Sequence, residues 1–134
     1  MNLKIPQTMK NKVLVVDDEL SIRMLLENFL SDEYEVIAKE NGYEAMSWLQ
    51  EGNTADLMLV DIEMPMVNGY EFAESVRKLK GMDTVPLLML SAKQKSADRI
   101  KSFASGADDF IQKPFNPEEL MIRIKAAFRR SKVA

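Results

Sequence analysis

The stretch DLMLVDIEMPMVNG at residues 56–69 decides the fold of this 134-residue chain. Four apolar residues, Leu57 to Val60, run without a break and stop at the carboxylate of Asp61. A continuous apolar run of this length is typical of a strand buried on both faces, as in a parallel sheet. The pattern therefore predicts a buried strand that presents Asp61 at its carboxyl end, the edge at which ligands bind in open α/β sheets.

Similar patterns on either side of this stretch predict the rest of the fold. Further strands are predicted at residues 12–16, 34–38, 87–90 and 109–112. Helical spacing predicts a helix after Glu19 and others at about residues 43–50, 70–79, 94–105 and from 116 onward. The apolar positions expected to face the core are Ile22, Leu25, Leu26, Phe29, Leu30, Ala45, Met46, Trp48, Leu49, Tyr70, Phe72, Ala73, Val76, Ala97, Ile100, Phe103, Ala104, Leu120, Met121, Ile124, Ala127 and Phe128. Five strands and five helices in strict alternation predict an α/β fold with a doubly wound parallel sheet.

The same patterns suggest the domain boundaries. Residues 1–11 are expected to be a flexible leader, 12–131 a single domain, and 132–134 a short tail. Asp18 or Glu19 stands at the start of the first helix, where capping and the helix dipole favour a carboxylate. Asn116 is expected to cap the last helix, with Pro117 in its first turn.

Composition narrows the class of protein. With 46% hydrophobic and 29% charged residues, the chain has the balance of a soluble globular protein. Its net charge of −3 gives no sign of nucleic-acid binding. No transmembrane-length apolar run or signal peptide is visible, so a cytoplasmic location is expected. Because the chain has no histidine, any metal would be held by oxygen, which favours Mg²⁺, Mn²⁺ or Ca²⁺.

Polar residues follow four of the predicted strands. Asp17 and Asp18 follow the first, Asp61 the third, Ser91 the fourth and Lys113 the fifth. Each alone would be an ordinary cap, loop hydroxyl or surface lysine. Because the carboxyl ends of parallel strands share one edge, all five are expected to converge there.

The chemistry of this set points to phosphoryl transfer. Three carboxylates close together repel each other unless a cation joins them, and Lys113 and Mg²⁺ could supply that charge. A carboxylate can attack phosphorus to form an aspartyl phosphate, whose oxygens need neutralising. Ser91 could donate a hydrogen bond to a phosphoryl oxygen.

Four motifs carry a resemblance to a known family: VLVVDDE at 13–19, DIEMPMVNG at 61–69, SA at 91–92 and KPF at 113–115. The chain resembles the receiver domain of two-component response regulators over about residues 12–130. The resemblance implies a flavodoxin-like sheet with strand order 2-1-3-4-5.

The resemblance also implies a role for each site residue. Asp61 would be the phosphoacceptor, contacted after transfer by Ser91 and Lys113. Mg²⁺, with Mn²⁺ as an alternative, would be held by Asp17, Asp18, Asp61 and the backbone carbonyl of Glu63. The Lys113–Pro114 bond would be cis. Ser91 and Phe110 would form a switch pair, in which the hydroxyl moves toward the phosphate and the ring turns inward.

The implied partners follow from the same resemblance. The phosphoryl donor would be a sensor histidine kinase or a phosphotransfer protein. The fourth helix, fifth strand and fifth helix would regulate a downstream protein or output domain, and a phosphorylation-dependent dimer is compatible with this arrangement. Catalysis would be limited to the chain's own phosphoryl transfer and autodephosphorylation. Direct nucleic-acid binding is not expected, since no helix-turn-helix follows the last helix before Ala134. Membrane association is not expected either, since no apolar run is of transmembrane length.

The chain departs from the family pattern in small ways. Ser91 stands where many relatives carry Thr, and Phe110 where many carry Tyr. Glu63 and Lys93 lie at variable positions, and their pairing across the site could slow water attack on the phosphoryl group.

Two other functions remain open at this stage. The first is a pseudo-receiver that binds partners without phosphorylation. The presence of all five site residues argues against it: Asp17, Asp18, Asp61, Ser91 and Lys113. The second is a Mg²⁺-dependent phosphatase of the haloacid-dehalogenase type that works through an aspartyl phosphate. Such enzymes use an Asp two residues after the nucleophile as a general acid, and this chain has Glu63 at that position. They also carry cap insertions that shape a substrate pocket, and this sequence lacks them. A flavodoxin is disfavoured because the acidic loop after Val16 would repel a flavin phosphate.

Overall fold

A computed structural model describes residues 9–92 and 95–131 of the chain. Its centre is one five-stranded sheet in the order β2-β1-β3-β4-β5, with every neighbouring pair parallel. The strands are β1 (Asn11–Val16), β2 (Tyr34–Lys39), β3 (Leu57–Asp61), β4 (Leu87–Ser91) and β5 (Asp109–Gln112). The predicted fold class and strand order are therefore confirmed.

Helices alternate with these strands along the whole described chain. They are α1 (Leu20–Leu30), α2 (Gly42–Gln50), α3 (Gly69–Val76), α4 (Ser96–Ala104) and α5 (Pro117–Ser131). Among the described residues, no helix is long and apolar enough to cross a membrane.

The hydrophobic core lies on both faces of the sheet. Every residue of β3 and β4 is buried, which explains why these two central strands read as continuous apolar runs. One face packs against α2 and α3, through residues such as Leu49 and Phe72, and the other against α1 and α5, through residues such as Leu26 and Ile124. Two packed layers thus fix the strand ends in space.

Several predicted boundaries need correction. Asn11 belongs to β1 rather than to a leader, because it extends the ladder to Tyr34 of β2. Helix α3 ends at Val76 instead of residue 79, and the chain leaves it through turns in which Leu79 donates to the Val76 carbonyl. Helix α4 begins at Ser96, while Gln94 lies outside the described residues.

The predicted inner face of α4 was wrong. Ile100 is 68% exposed and Phe103 48% exposed, and Ala97 and Ala104 are exposed as well. The buried residue of this helix is instead Ser102. Its hydroxyl donates to the Asp98 carbonyl at 2.9 Å, so a polar side chain can face inward without an unsatisfied donor.

Leu25 of α1 was also predicted to face the core, but it is 44% exposed. The buried line of this helix narrows to Leu26 and Leu30, with Ile22 and Phe29 half-buried beside them. The buried stripe of α1 is therefore narrower than the full set of its apolar positions suggests.

One arginine joins the loops at the amino edge of the sheet. The guanidinium group of Arg77 donates to the backbone carbonyls of Met82, Val85 and Gly106 and to the carboxylate of Asp108. These bonds tie the segment after α3 to the segment after α4, so the carboxyl end of α4 is held in place.

Candidate functional site

The polar residues singled out from the sequence meet at the carboxyl edge of the sheet. Asp61 and Ser91 are the last residues of β3 and β4, while Asp17 and Lys113 directly follow β1 and β5. Ladder-like bonds continue past the strands and fix the backbone: the Lys113 amide donates to the Ser91 carbonyl at 2.7 Å, and the Asp17 amide to the Lys39 carbonyl at 3.1 Å.

Most of these side chains are withdrawn from solvent. Asp17 and Ser91 are fully buried, and Asp61 is 4% exposed. Asp18, in contrast, is exposed at the mouth of the site. Buried carboxylates are stable only when they are paired with a cation or bind a metal ion, so the arrangement calls for positive charge.

Lys113 supplies that charge from inside the site. Its Nζ atom lies 2.7 Å from Oδ2 of Asp17 and 3.4 Å from Oδ1 of Asp61, and its side chain is only 10% exposed. Glu19 adds a third carboxylate, 3.4 Å from the same Nζ atom.

The contact of Glu19 with Lys113 was not predicted. The sequence suggested a carboxylate cap for α1, and Glu19 does occupy that position, but its side chain makes no capping hydrogen bond. Its backbone serves locally instead: the amide donates to Oδ1 of Asp17 at 2.9 Å, and the carbonyl accepts from the amides of Ile22 and Arg23 at 3.1 Å. Arg23, also not predicted, donates from its guanidinium group to the Asp17 carbonyl at 2.8 Å. No sequence motif distinguishes either role from ordinary helix chemistry.

Crowded charges shift two pKa values in this site. Burial and the neighbouring charge of Asp17 raise the pKa of Asp61 to about 7, although Lys113 acts in the opposite direction. Burial by itself lowers the pKa of Lys113, but the hydrogen bond and charge of Asp17, with help from Asp61 and Glu19, outweigh it and raise the pKa overall. The resting site therefore has an excess of negative charge that favours binding of a cation.

The acidic residues are placed to bind such a cation. One carboxylate oxygen from each of Asp17, Asp18 and Asp61 lies within 4.8 Å of the others. Hard divalent ions such as Mg²⁺ prefer carboxylate oxygens and keep several waters. The donor set thus fits the expected metal. The side chain of Glu63 is exposed, and the role of its backbone carbonyl as a further ligand stays a prediction.

The loop after β3 is shaped around Asp61 by close backbone packing. The Gly69 amide donates to the Ile62 carbonyl at 2.8 Å, and a Cβ atom at Gly69 would lie 2.6 Å from the Asp61 carbonyl oxygen. Within the loop, Met66 has a φ of 68°. Asn68 then starts α3 with a capping box to Glu71. Glycine at position 69 is required by this close approach.

The loop after β5 agrees with the expectations for this segment. The Lys113–Pro114 peptide bond is cis. Asn116 caps α5, since its Oδ1 atom accepts from the amide of Glu118 at 2.8 Å and from that of Glu119 at 3.3 Å.

Two expectations concern residues farther from the acidic cluster. The Phe110 ring is 8% exposed and belongs to the core on the α2 and α3 side of the sheet. Lys93, the expected partner of Glu63, lies outside the described residues. The switch role of Phe110 and the pairing of Lys93 therefore stay predictions.

Comparison with known proteins gives the family. The sequence model of the family described as response regulator receiver domain matches residues 13–125 of the chain. The chain is 44% identical over 126 residues to the transcriptional regulatory protein ResD of Bacillus subtilis, covering 93% of this chain and 51% of that protein. It is 41% identical over 124 residues to the transcriptional regulatory protein SrrA of Staphylococcus aureus, covering 92% and 50%. The chain thus spans about half the length of these curated relatives.

Solved structures agree with the sequence relatives. The chemotaxis response regulator CheY4 of Vibrio cholerae superposes with a TM-score of 0.84 at 34% identity, covering 89% of this chain and 99% of that chain. The receiver domain of the Francisella response regulator 1452 gives 0.82 at 30% identity, covering 92% and 100%. With the fold, the acidic cluster and these matches in agreement, the chain belongs to the receiver domain family of two-component response regulators.

Proposed function

We propose that the chain is a phosphorylation-operated signalling switch in which Asp61 accepts a phosphoryl group. The observation that carries this proposal is the meeting of Asp17, Asp18 and Asp61 with the buried ammonium group of Lys113 at one sheet edge. Of the three carboxylates, Asp61 lies on the central strand β3 and contacts Lys113 without being held as tightly as Asp17. It is thus the carboxylate best placed to react.

The transfer step is a displacement at phosphorus. An oxygen of the charged Asp61 carboxylate forms a bond to phosphorus, and the bond from phosphorus to a donor histidine nitrogen breaks, with the electron pair staying on the nitrogen. Lys113 stabilises the charge that builds on the phosphoryl oxygens. The chain has no histidine, which fits a donor supplied in trans, and we propose a sensor histidine kinase or a phosphotransfer protein as that donor.

The proposed metal ligands are Asp17, Asp18, Asp61 and the Glu63 carbonyl. Bound Mg²⁺ would neutralise phosphoryl oxygens next to an otherwise acidic site. The residues of the chain do the remaining work: Lys113 orients the group, and Ser91 donates a hydrogen bond to one of its oxygens. A cytoplasmic location, where such donors act, is part of the same proposal.

The proposed output is a change on the surface formed by α4, β5 and α5. Ser91 and Phe110 lie on the adjacent strands β4 and β5, where Ser91 pairs with Gln112 and Met89 pairs with Phe110. This proximity supports a coupling in which movement of the Ser91 hydroxyl changes the position of the Phe110 ring. Exposed Ile100 and Phe103 on α4 give this surface apolar groups that a partner could cover. A downstream protein, an output domain or a second copy of the chain are the proposed occupants.

The direct test is phosphorylation by acetyl phosphate with Mg²⁺, followed by intact mass. We expect one phosphoryl adduct on the unmodified protein and none on Asp61→Asn or without Mg²⁺. Asp56→Asn is the matched control, because Asp56 precedes the same strand and accepts from the Lys12 amide, a bond that Asn can keep. An adduct that survives in Asp61→Asn would refute the assignment. A complete lack of adduct in folded protein would favour the pseudo-receiver function.

A further inference from the structure

Among the described residues, the ammonium group of Lys113 contacts three carboxylates. Its Nζ atom lies 2.7 Å from Asp17, 3.4 Å from Glu19 and 3.4 Å from Asp61. A lysine ammonium group has three N–H donors and no acceptor. A phosphoryl oxygen that is to pair with Lys113 must therefore displace one of these carboxylates.

The three contacts differ in what their loss would leave behind. Asp17 is fully buried, so without its cation it would be a desolvated and unpaired charge. The side chain of Asp61 is 5% exposed, and as the phosphoacceptor it stays next to the incoming group. The side chain of Glu19 is 57% exposed, so water can replace the ammonium group there. The contact with Glu19 is the one that can break at least cost.

We propose that Glu19 is a positioning residue that holds Lys113 in the resting site and releases it when a phosphoryl group reaches Asp61. This inference rests on the phosphoacceptor chemistry proposed above and adds a resting-state competitor to it. During transfer, the Asp61 oxygen bonds to phosphorus, the bond to the leaving group breaks, and the leaving group takes the electron pair. Lys113 meanwhile turns from the Glu19 carboxylate to the phosphoryl oxygens.

The local structure leaves the Glu19 carboxylate available for this role. Glu19 stands at the start of α1, but its side chain makes no capping hydrogen bond there. The guanidinium group of Arg23, one turn later, is bound to the Asp17 carbonyl instead. The contact to Lys113 at 3.4 Å is therefore the interaction that directs the Glu19 side chain toward the site.

A kinetic asymmetry follows from a competitor that acts only before transfer. Glu19 should slow formation of the aspartyl phosphate, because its contact with Lys113 must break on the way to the transition state. It should not affect loss of the phosphoryl group, because that contact is already broken in the phosphorylated protein and in the transition state for hydrolysis.

The first test compares the rates of adduct formation and loss at saturating Mg²⁺ with acetyl phosphate as the donor. In Glu19→Gln, formation should rise about two- to fivefold, the range of one exposed ion pair, while the rate of loss stays unchanged. Glu19→Asp keeps the charge but shortens the side chain, and it should behave like Glu19→Gln. Glu40→Gln is the charge-matched control, since Glu40 is exposed directly after β2 at the same sheet edge.

Several results would overturn the inference. These are an unchanged or slower formation in Glu19→Gln, an equal rise in Glu40→Gln, a wild-type rate in Glu19→Asp, or equal changes in formation and loss. The last three would mean that charge near the site matters and the contact with Lys113 does not.

A second measurement needs neither phosphate nor metal. In metal-free protein, the ¹⁵N resonance of the Lys113 ammonium group should move more in Glu19→Gln than in Glu40→Gln. A normal phosphoryl adduct with an unresponsive Lys113 resonance overturns the role of Glu19 alone. No adduct on the unmodified protein overturns the proposed function itself, and the two failures are thus distinguishable.

Discussion

Lys113 and Asp17 form a 2.7 Å ion pair between two side chains that are 96 residues apart and nearly withdrawn from solvent. The pair joins the segment after β1 to the segment after β5, at the two sides of the central strand β3. A buried charge loses far more when its partner is removed than an exposed one does. The fold therefore depends on this contact as much as the proposed chemistry does.

Lys113→Met should lower the free energy of unfolding in the absence of Mg²⁺ by about 3 kcal/mol, because Asp17 is left buried without a cation. Added Mg²⁺ should restore part of this loss. Urea denaturation with and without Mg²⁺ measures both effects. Lys125→Met is the control: its 3.5 Å pair with Glu33 is exposed, and its loss should cost less than about 1 kcal/mol. Equal losses in both variants would contradict the role of burial.

Asp61→Asn should stabilise the metal-free protein in a pH-dependent way. The pKa of Asp61 is raised from 3.8 to about 7, so the fold favours the protonated carboxyl group. The stability this provides is fully present below pH 3.8 and is lost as the pH rises through about 7. Asn does not titrate and escapes the loss.

The gain of Asp61→Asn should therefore be near zero at pH 4 and grow to about 2 kcal/mol at pH 8. Urea denaturation across this pH range measures it. Saturating Mg²⁺ should shrink the gain, because the ion stabilises charged Asp61. A gain that stays constant with pH would show that Asp61 titrates normally.

Gly69→Ala should damage both stability and phosphorylation. The added Cβ atom would lie 2.6 Å from the Asp61 carbonyl oxygen and 2.8 Å from the Ile62 Cα atom, so the backbone that carries Asp61 must move. We expect a loss of about 1–3 kcal/mol in thermal or urea unfolding and slower adduct formation. Gly42→Ala is the control, because the nearest atom to its Cβ is a Val67 side-chain carbon at 3.1 Å. Similar losses in both would refute the explanation.

Ile100→Ala and Phe103→Ala should leave stability within about 0.5 kcal/mol of the unmodified protein, because both side chains are largely exposed. Leu26→Ala, in the buried core, should cost about 2–5 kcal/mol in the same assay.

If α4 contributes to a phosphorylation-dependent dimer, sedimentation after acetyl phosphate treatment should show weaker association in the two α4 variants. Unchanged association would remove these two residues from the interface.

The sequence was sufficient to predict the sheet because β3 and β4 are buried on both faces, and every residue of each strand except the last one is apolar. It was also sufficient to group Asp17, Asp61 and Lys113, since parallel strand ends share an edge. The contact of Glu19 with Lys113 was missed, because an acidic residue before a helix is explained equally well by capping.

The error in α4 has a different origin. Periodicity finds an apolar stripe but does not say which way it points when the helix has an alternative packing face. In α4 the small Ser102 packs inward with its hydroxyl bonded within the helix, and the apolar stripe turns outward. The hydrogen bonds of Arg77 could not be predicted for a related reason. The sequence around a single arginine near a helix end does not indicate which backbone carbonyls its guanidinium group will bind.

The inward-facing serine of α4 also affects how this protein can diversify. None of the outward residues of the helix belongs to either core cluster. Mutation there should alter what the molecule recognises without threatening the fold or the acidic cluster at the strand ends. Paralogues in one cell could thus acquire different binding partners through mutations on a single helix, while the chemistry of the acidic cluster stays the same.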